Sequence, residues 1–185
     1  KMKKDNLKIR STTILGIRVK GKVAVAGDGQ VTLGDMAMKQ KAVKVRKFDS
    51  PKGGVVGGFA GAAADALTLF ERFEQKLDEY EGDLKRSVVE MAKDWRTDKI
   101  LRHLEALLLV MDKRNSFIIA GDGNVIEPDG PIVAIGSGGG FAQAAATAFH
   151  QSGKFSVKQI VEKSLKITAD LCIYTNDSIT VLELK

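Results

Sequence analysis

The sequence predicts an α+β fold, a four-layer αββα sandwich. Three observations lead there. Segments rich in β-branched residues come in runs instead of alternating with helices. Helical periodicity comes in two consecutive pairs of segments. The resulting order is strands, two helices, strands, two helices, strand, which argues against an alternating parallel sheet. Each helix pair can cover one face of a sheet, and two sheets packed face to face complete the four layers.

The elements follow in order. Residues 12–19, TTILGIRV, predict a strand, Lys20-Gly21 a turn, and residues 22–26 a second strand. Gly27-Asp28-Gly29 is a turn signal. Residues 55–60 form a short strand among glycines. Ala66, Leu69, Phe70, Phe73, Leu77 and Tyr80 recur at three- and four-residue steps, one apolar helical stripe that Gly82 ends. Val88, Met91, Ala92 and Trp95 mark a second helix. Strands return at residues 104–111, 116–120 and 132–135, joined by DKRN and GDG connections. The run Gly136-Ser137-Gly138-Gly139-Gly140 opens an alanine-rich helix from Phe141 to about His150. Ser156 and Gln159 form a capping box for a last helix through about Asp170, and residues 179–184 close the fold as a strand.

Composition bounds the function. The chain has 185 residues, 44% hydrophobic and 28% charged, the profile of one soluble globular domain. No apolar run approaches the roughly 18 residues of a membrane span. Its one cysteine, Cys172, excludes an intrachain disulfide and fits a reducing cytoplasm. Of the net charge of +6, residues 1–11 supply +4 through Lys1, Lys3, Lys4, Lys8 and Arg10 against Asp5. A second basic cluster, Lys39, Lys41, Lys44, Arg46 and Lys47, lacks interleaved aromatic residues, so nucleic acid is not the expected partner. Residues 1–11 have no apolar h-region and read as a basic pro-segment or N-terminal extension, with residues 12–185 as a single domain.

Several chemistries are weighed on the residues. The 136–140 glycine run resembles a dinucleotide loop, but a G-x-G-x-x-G pattern begun at Gly136 would place Phe141 at its third glycine. A Walker A lysine is missing too, so tight strand–helix packing is the simpler use of these glycines, with Ser137 and backbone N–H groups offered at a helix start. His103 and His150 lie apart, and no Cys/His spacing suits zinc or a serine triad. Thr12-Thr13 is different. Were the Ser11–Thr12 bond cut, Thr12 would carry both a hydroxyl nucleophile and a free α-amine, whose ordinary pKa of about 7.7–8.0 suits a general base. One residue would then supply nucleophile and base. Lys44 is a candidate cation to tune that amine, and Asp28 a candidate to orient the lysine.

TTI at Thr12, AGDGQVT from Ala26, KVRK from Lys44, GFAG from Gly58 and ADALTLFERFE from Ala64 carry a resemblance. AKDWRTDK from Ala92, LEALL from Leu104, AIGSGG from Ala134 and CIYTN from Cys172 extend it. In order and spacing these segments resemble the HslV (ClpQ) family, peptidases of the HslUV ATP-dependent protease and relatives of proteasome β subunits. The resemblance implies an N-terminal-nucleophile hydrolase, with Thr12 as nucleophile, Asp28 and Lys44 as charge-tuning residues and Ser137 as a supporting hydroxyl. It implies the Gly58 N–H as oxyanion donor and a sodium ion held by the carbonyls of Ala169, Cys172 and Thr175, with no organic cofactor. It further implies a cytoplasmic homo-dodecamer of two stacked hexameric rings, an HslU ATPase hexamer as the partner that uses ATP, and unfolded polypeptide substrates. The chain departs from that family in its eleven residues before the threonine pair and in a longer loop at residues 49–54. A proteasome β subunit, a nucleotide-binding module at residues 136–140 and an inactive ring scaffold are the competing readings.

Overall fold

The computed structural model describes residues 9–10, 12–61, 63–98 and 106–184, with backbone alone at 9–10 and 63–66. The expectations for residues 1–8, Ser11, His103 and residues 104–105 lie outside the described residues.

The chain runs β1 (Ile9–Arg10), β2 (Thr13–Val19), β3 (Lys22–Gly27), β4 (Val31–Leu33), β5 (Met36–Lys39), β6 (Val45–Phe48) and β7 (Val55–Ala60). Helices α1 (Ala63–Glu79) and α2 (Leu84–Thr97) follow, then β8 (Leu107–Met111), β9 (Ser116–Ala120), β10 (Val125–Ile126) and β11 (Ile132–Gly136). Helices α3 (Gly139–Ser152) and α4 (Val157–Leu171) precede the closing β12 (Thr180–Leu184). One sheet has the order β11-β2-β3-β12 and the other β10-β9-β8-β7-β6, every pairing antiparallel.

Three apolar layers make this a four-layer αββα sandwich. Ile14, Val23 and Val25 of one sheet meet Val56, Leu109 and Met111 of the other in the middle layer. Phe73, Leu77, Val88 and Trp95 of α1 and α2 pack on the outer face of the second sheet against Phe48, Phe59 and Leu108. Ile160, Val161, Leu165, Ala142 and Ala146 of α4 and α3 cover Leu15, Ile17, Ala24 and Ala26 on the first. Strands β2 and β3 are therefore buried on both faces, which is why they read as continuous apolar runs and not as alternation.

Local signals set the helix ends. Asp83 caps α2 by accepting the Arg86 N–H at 3.0 Å. The expected capping box is present: Gln159 N–H donates to Ser156 Oγ at 3.3 Å, and Ser156 N–H to Gln159 Oε1 at 3.0 Å. Helix α3 begins at Gly139 and runs to Ser152, slightly longer than expected at both ends.

Residues 31–48 carry what the sequence does not predict. Strands β4 and β5 form a hairpin outside both large sheets, and β1 pairs with β4 through Ile9↔Leu33 and Arg10↔Thr32. Strand β5 is exposed at every position, so no burial pattern marks it. The basic cluster here is not a continuous patch: Lys44 is buried, and Arg46 pairs with Glu74 at 2.8 Å.

Candidate active site

Strand β3 ends at Gly27, so Asp28 is the first residue past the edge of the central sheet. Thr13 opens the neighbouring strand β2. The two are tied both ways: Thr13 N–H donates to Asp28 Oδ1 at 2.8 Å, and Asp28 N–H to the Thr13 carbonyl at 3.3 Å. Lys44, one residue before β6, donates from Nζ to the same Oδ1 at 3.0 Å and to the Gln30 carbonyl. Asp28 Oδ2 accepts the Gln30 N–H at 2.9 Å and the Asn176 N–H at 3.3 Å. A buried carboxylate is tolerated only when so satisfied. Among the described residues, no buried side-chain nitrogen or oxygen lacks a partner.

Lys44 is 6% exposed. Burial pushes its ammonium pKa down, and the charge and hydrogen bond of Asp28 offset only part of that. The folded protein thus holds this proton less tightly than the unfolded chain, whose lysine titrates near 10.5. The residue's contribution to stability accordingly rises with pH between the lowered value and 10.5. If Lys44 tunes the Thr12 amine, as the resemblance implies, Lys44→Ala is expected to lower turnover by up to about 10²–10⁴-fold, the weight of the general base it would disable. The fold should lose less, because three backbone N–H groups still hold Asp28. Lys44→Met, which keeps the buried stem, controls for packing. Unchanged turnover and an unchanged pH–rate profile would remove Lys44 from the mechanism.

Thr12 is 1% exposed and has φ of 105°. That region is disfavoured for a β-branched residue and stores about 1–3 kcal/mol of strain. The conformation is held by the neighbouring glycine run. Ser137 N–H donates to the Thr12 carbonyl at 3.0 Å. Gly136, itself at φ 92°, lies against that carbonyl where any Cβ would collide with it. Gly138 N–H donates to Thr13 Oγ1 at 3.0 Å, and Thr13 Oγ1 also bonds Thr175 Oγ1 at 2.8 Å. A Cβ on Gly138 would strike both hydroxyls. The glycine run is therefore the packing device that seats Thr12 and Thr13.

The remaining expected residues are placed as follows. Ser137 is exposed and enters this arrangement through its main chain. Gly58 lies on β7 between Val45 and Leu109, and Ile14 Cγ2 occupies the space its Cβ would need. Ala169 lies in the last turn of α4, Cys172 is its C-cap, and Thr175 follows in the loop. Thr175 N–H donates to the Cys172 carbonyl at 3.0 Å, and the Cys172 thiol is buried. Backbone carbonyl oxygens are the kind of donor a hard cation takes, and one of the three expected here, that of Cys172, also accepts the Thr175 N–H.

Sequence reasoning missed four contributors: the Thr13 and Thr175 hydroxyls, Gln30 and Asn176. Gln30 Nε2 donates to Thr32 Oγ1 at 2.9 Å and to the Ile173 carbonyl at 2.8 Å, fixing the residue whose own carbonyl receives Lys44. The signal was present as the Gln after the GDG turn and the Thr-Asn pair in CIYTN.

Comparison with known proteins supports one assignment. A family model described as proteasome subunit matches residues 9–184. The ATP-dependent protease subunit HslV of Aquifex aeolicus is 53% identical over 178 residues, covering 96% of this chain and all of that protein. The crystal structure of eukaryotic HslV from Trypanosoma brucei superposes with a TM-score of 0.86 at 43% identity, covering 94% of this chain and 99% of that one. Thiobacillus denitrificans BPH in complex with epoxomicin has a TM-score of 0.73 at 19% identity, covering 94% and 99%, a likeness of fold alone. With the αββα sandwich and the Thr13–Asp28–Lys44 hydrogen bonds in place beside Thr12, this chain belongs to the proteasome-subunit family, in its HslV branch.

Proposed function

We propose that this chain is the threonine peptidase subunit of a two-component ATP-dependent protease, working from Thr12 once residues 1–11 are removed. The observation that carries the reading is the Asp28 carboxylate, which joins Lys44 to the peptide N–H that follows Thr12. A freed Thr12 amine takes the proton of its own hydroxyl as Oγ1 attacks a peptide carbonyl carbon. The C–N bond then breaks, and the amine returns the proton to the leaving nitrogen. Water hydrolyses the ester left on Oγ1. Lys44 supplies positive charge that disfavours protonation of the amine, and Asp28 holds the lysine. Ser137 is proposed as a supporting hydroxyl.

Carbonyls of Ala169, Cys172 and Thr175 are proposed to hold sodium. The ion would supply fixed positive charge that stiffens the loop behind Thr13, whose hydroxyl bonds Thr175. The proposed assembly is a dodecamer of two hexameric rings, capped by an HslU-type ATPase hexamer and acting on unfolded polypeptides in the cytoplasm. No described helix is long and apolar enough to cross a membrane.

Peptide hydrolysis by the purified chain should rise strongly when HslU and ATP are added together, and not with ATP alone. ATP binding by this chain alone, measured by calorimetry, would instead favour a nucleotide module at residues 136–140.

A further inference from the structure

We propose that Asn176 is a positioning residue for the Asp28–Lys44 pair, an inference that rests on the peptidase reading above. Asn176 lies in the loop between α4 and β12, where that loop passes the end of β3. Its backbone N–H donates to Asp28 Oδ2 at 3.3 Å. Its side-chain oxygen accepts the Gly29 N–H at 3.0 Å and the Ser178 N–H at 3.2 Å. Its Nδ2 donates to the Gln40 carbonyl at 2.9 Å and to Gln40 Oε1 at 2.7 Å.

These bonds join the two backbone segments that carry the ion pair. Gly29 adjoins Asp28, and Gln40 begins the stretch that delivers Lys44. The segments touch directly: Ala42 N–H donates to the Gly29 carbonyl at 2.9 Å. A Cβ on Gly29 would meet the Gln40 carbonyl and Lys41 Cα, the latter at 3.0 Å. Gly29 thus gives the closeness and Asn176 the directional clamp. Lys44 reaches Asp28 from a segment sixteen residues on, so its placement depends on how these segments sit together. Asn176 is half-buried and polar, and truncating it removes none of the apolar residues that form the three core layers.

The test measures kcat and KM for peptide hydrolysis by the ATPase-activated complex. Asn176→Ala is expected to lower kcat by about 10- to 100-fold with KM within about twofold, as a displaced catalytic group does. Asn176→Asp keeps an oxygen for the Gly29 N–H but sets a carboxylate oxygen against the Gln40 carbonyl where Nδ2 donated, so it too should fall about 10-fold or more short of wild-type kcat. Wild-type kcat in the alanine variant overturns the proposal, as does a loss confined to KM. Should the alanine variant fail to assemble, the near-isosteric Asn176→Asp carries the test alone, and wild-type kcat there overturns it. Thr12→Ala is assayed in parallel. Activity surviving in that variant breaks the peptidase reading itself, whereas an inactive Thr12→Ala beside a wild-type-like Asn176→Ala sinks only the role of Asn176.

Discussion

Thr12→Ala is expected to abolish peptide hydrolysis, by at least ~10⁴-fold, while leaving folding and assembly intact. The size follows from Thr12 supplying both nucleophile and base. Removing Oγ1 leaves no atom to form the ester, and no hydroxyl proton for a base to take. The structural effect is small because Thr12 precedes β2 and belongs to none of the three apolar clusters. Its strained backbone is held by contacts to its carbonyl from Ser137 and Gly136, which alanine keeps. Thr12→Ser should retain part of the activity, since hydroxyl and amine both survive. Circular dichroism and size-exclusion profiles that match wild type would separate lost chemistry from lost structure. Full activity in the alanine variant would refute the assignment of Thr12.

The four layers were legible because the apolar stripes of α1 and α2 and the apolar runs of β2 and β3 record burial directly. The capping box at Ser156 and Gln159 was legible because capping is local chemistry. Strands β4, β5 and β6 were not. They have three, four and four residues, and β5 is exposed on both faces, so neither length nor alternation marks them. Asp28 and Lys44 could be named as candidates, but their contact is made by packing β3 beside the approach to β6. Composition held no trace of it: the residues offered Asp28 only as a candidate to orient Lys44, and the resemblance added the charge-tuning role of both. The clamp at Asn176 was hidden for the same reason: its partners in the Asp28 and Gln40 segments are 136 to 148 residues away in the chain.

Residues 1–11 are expected to be absent from the active enzyme. While the Ser11–Thr12 peptide bond stands, the Thr12 nitrogen is an amide and cannot serve as a base. In the full chain Thr12 is also 1% exposed, so a substrate carbonyl has no approach to its hydroxyl. The leader is held more firmly than its basic, polar sequence suggests, because Ile9 and Arg10 pair with Leu33 and Thr32 of β4. Among the described residues that pairing covers two, so excision should cost the fold little. Thr12 itself can make the cut. Its Oγ1 attacks the Ser11 carbonyl carbon, the C–N bond breaks, and the hydroxyl proton ends on the freed nitrogen. The resulting ester is hydrolysed by water, releasing the leader and leaving the amine that later catalysis needs. The strain at Thr12 favours this direction, since a free N-terminal residue has no preceding carbonyl to define φ. Intact-mass measurement should therefore find wild type beginning at Thr12 and Thr12→Ala retaining residues 1–11, host trimming aside. A preparation that is fully active yet uniformly keeps the leader would refute Thr12 as an N-terminal nucleophile.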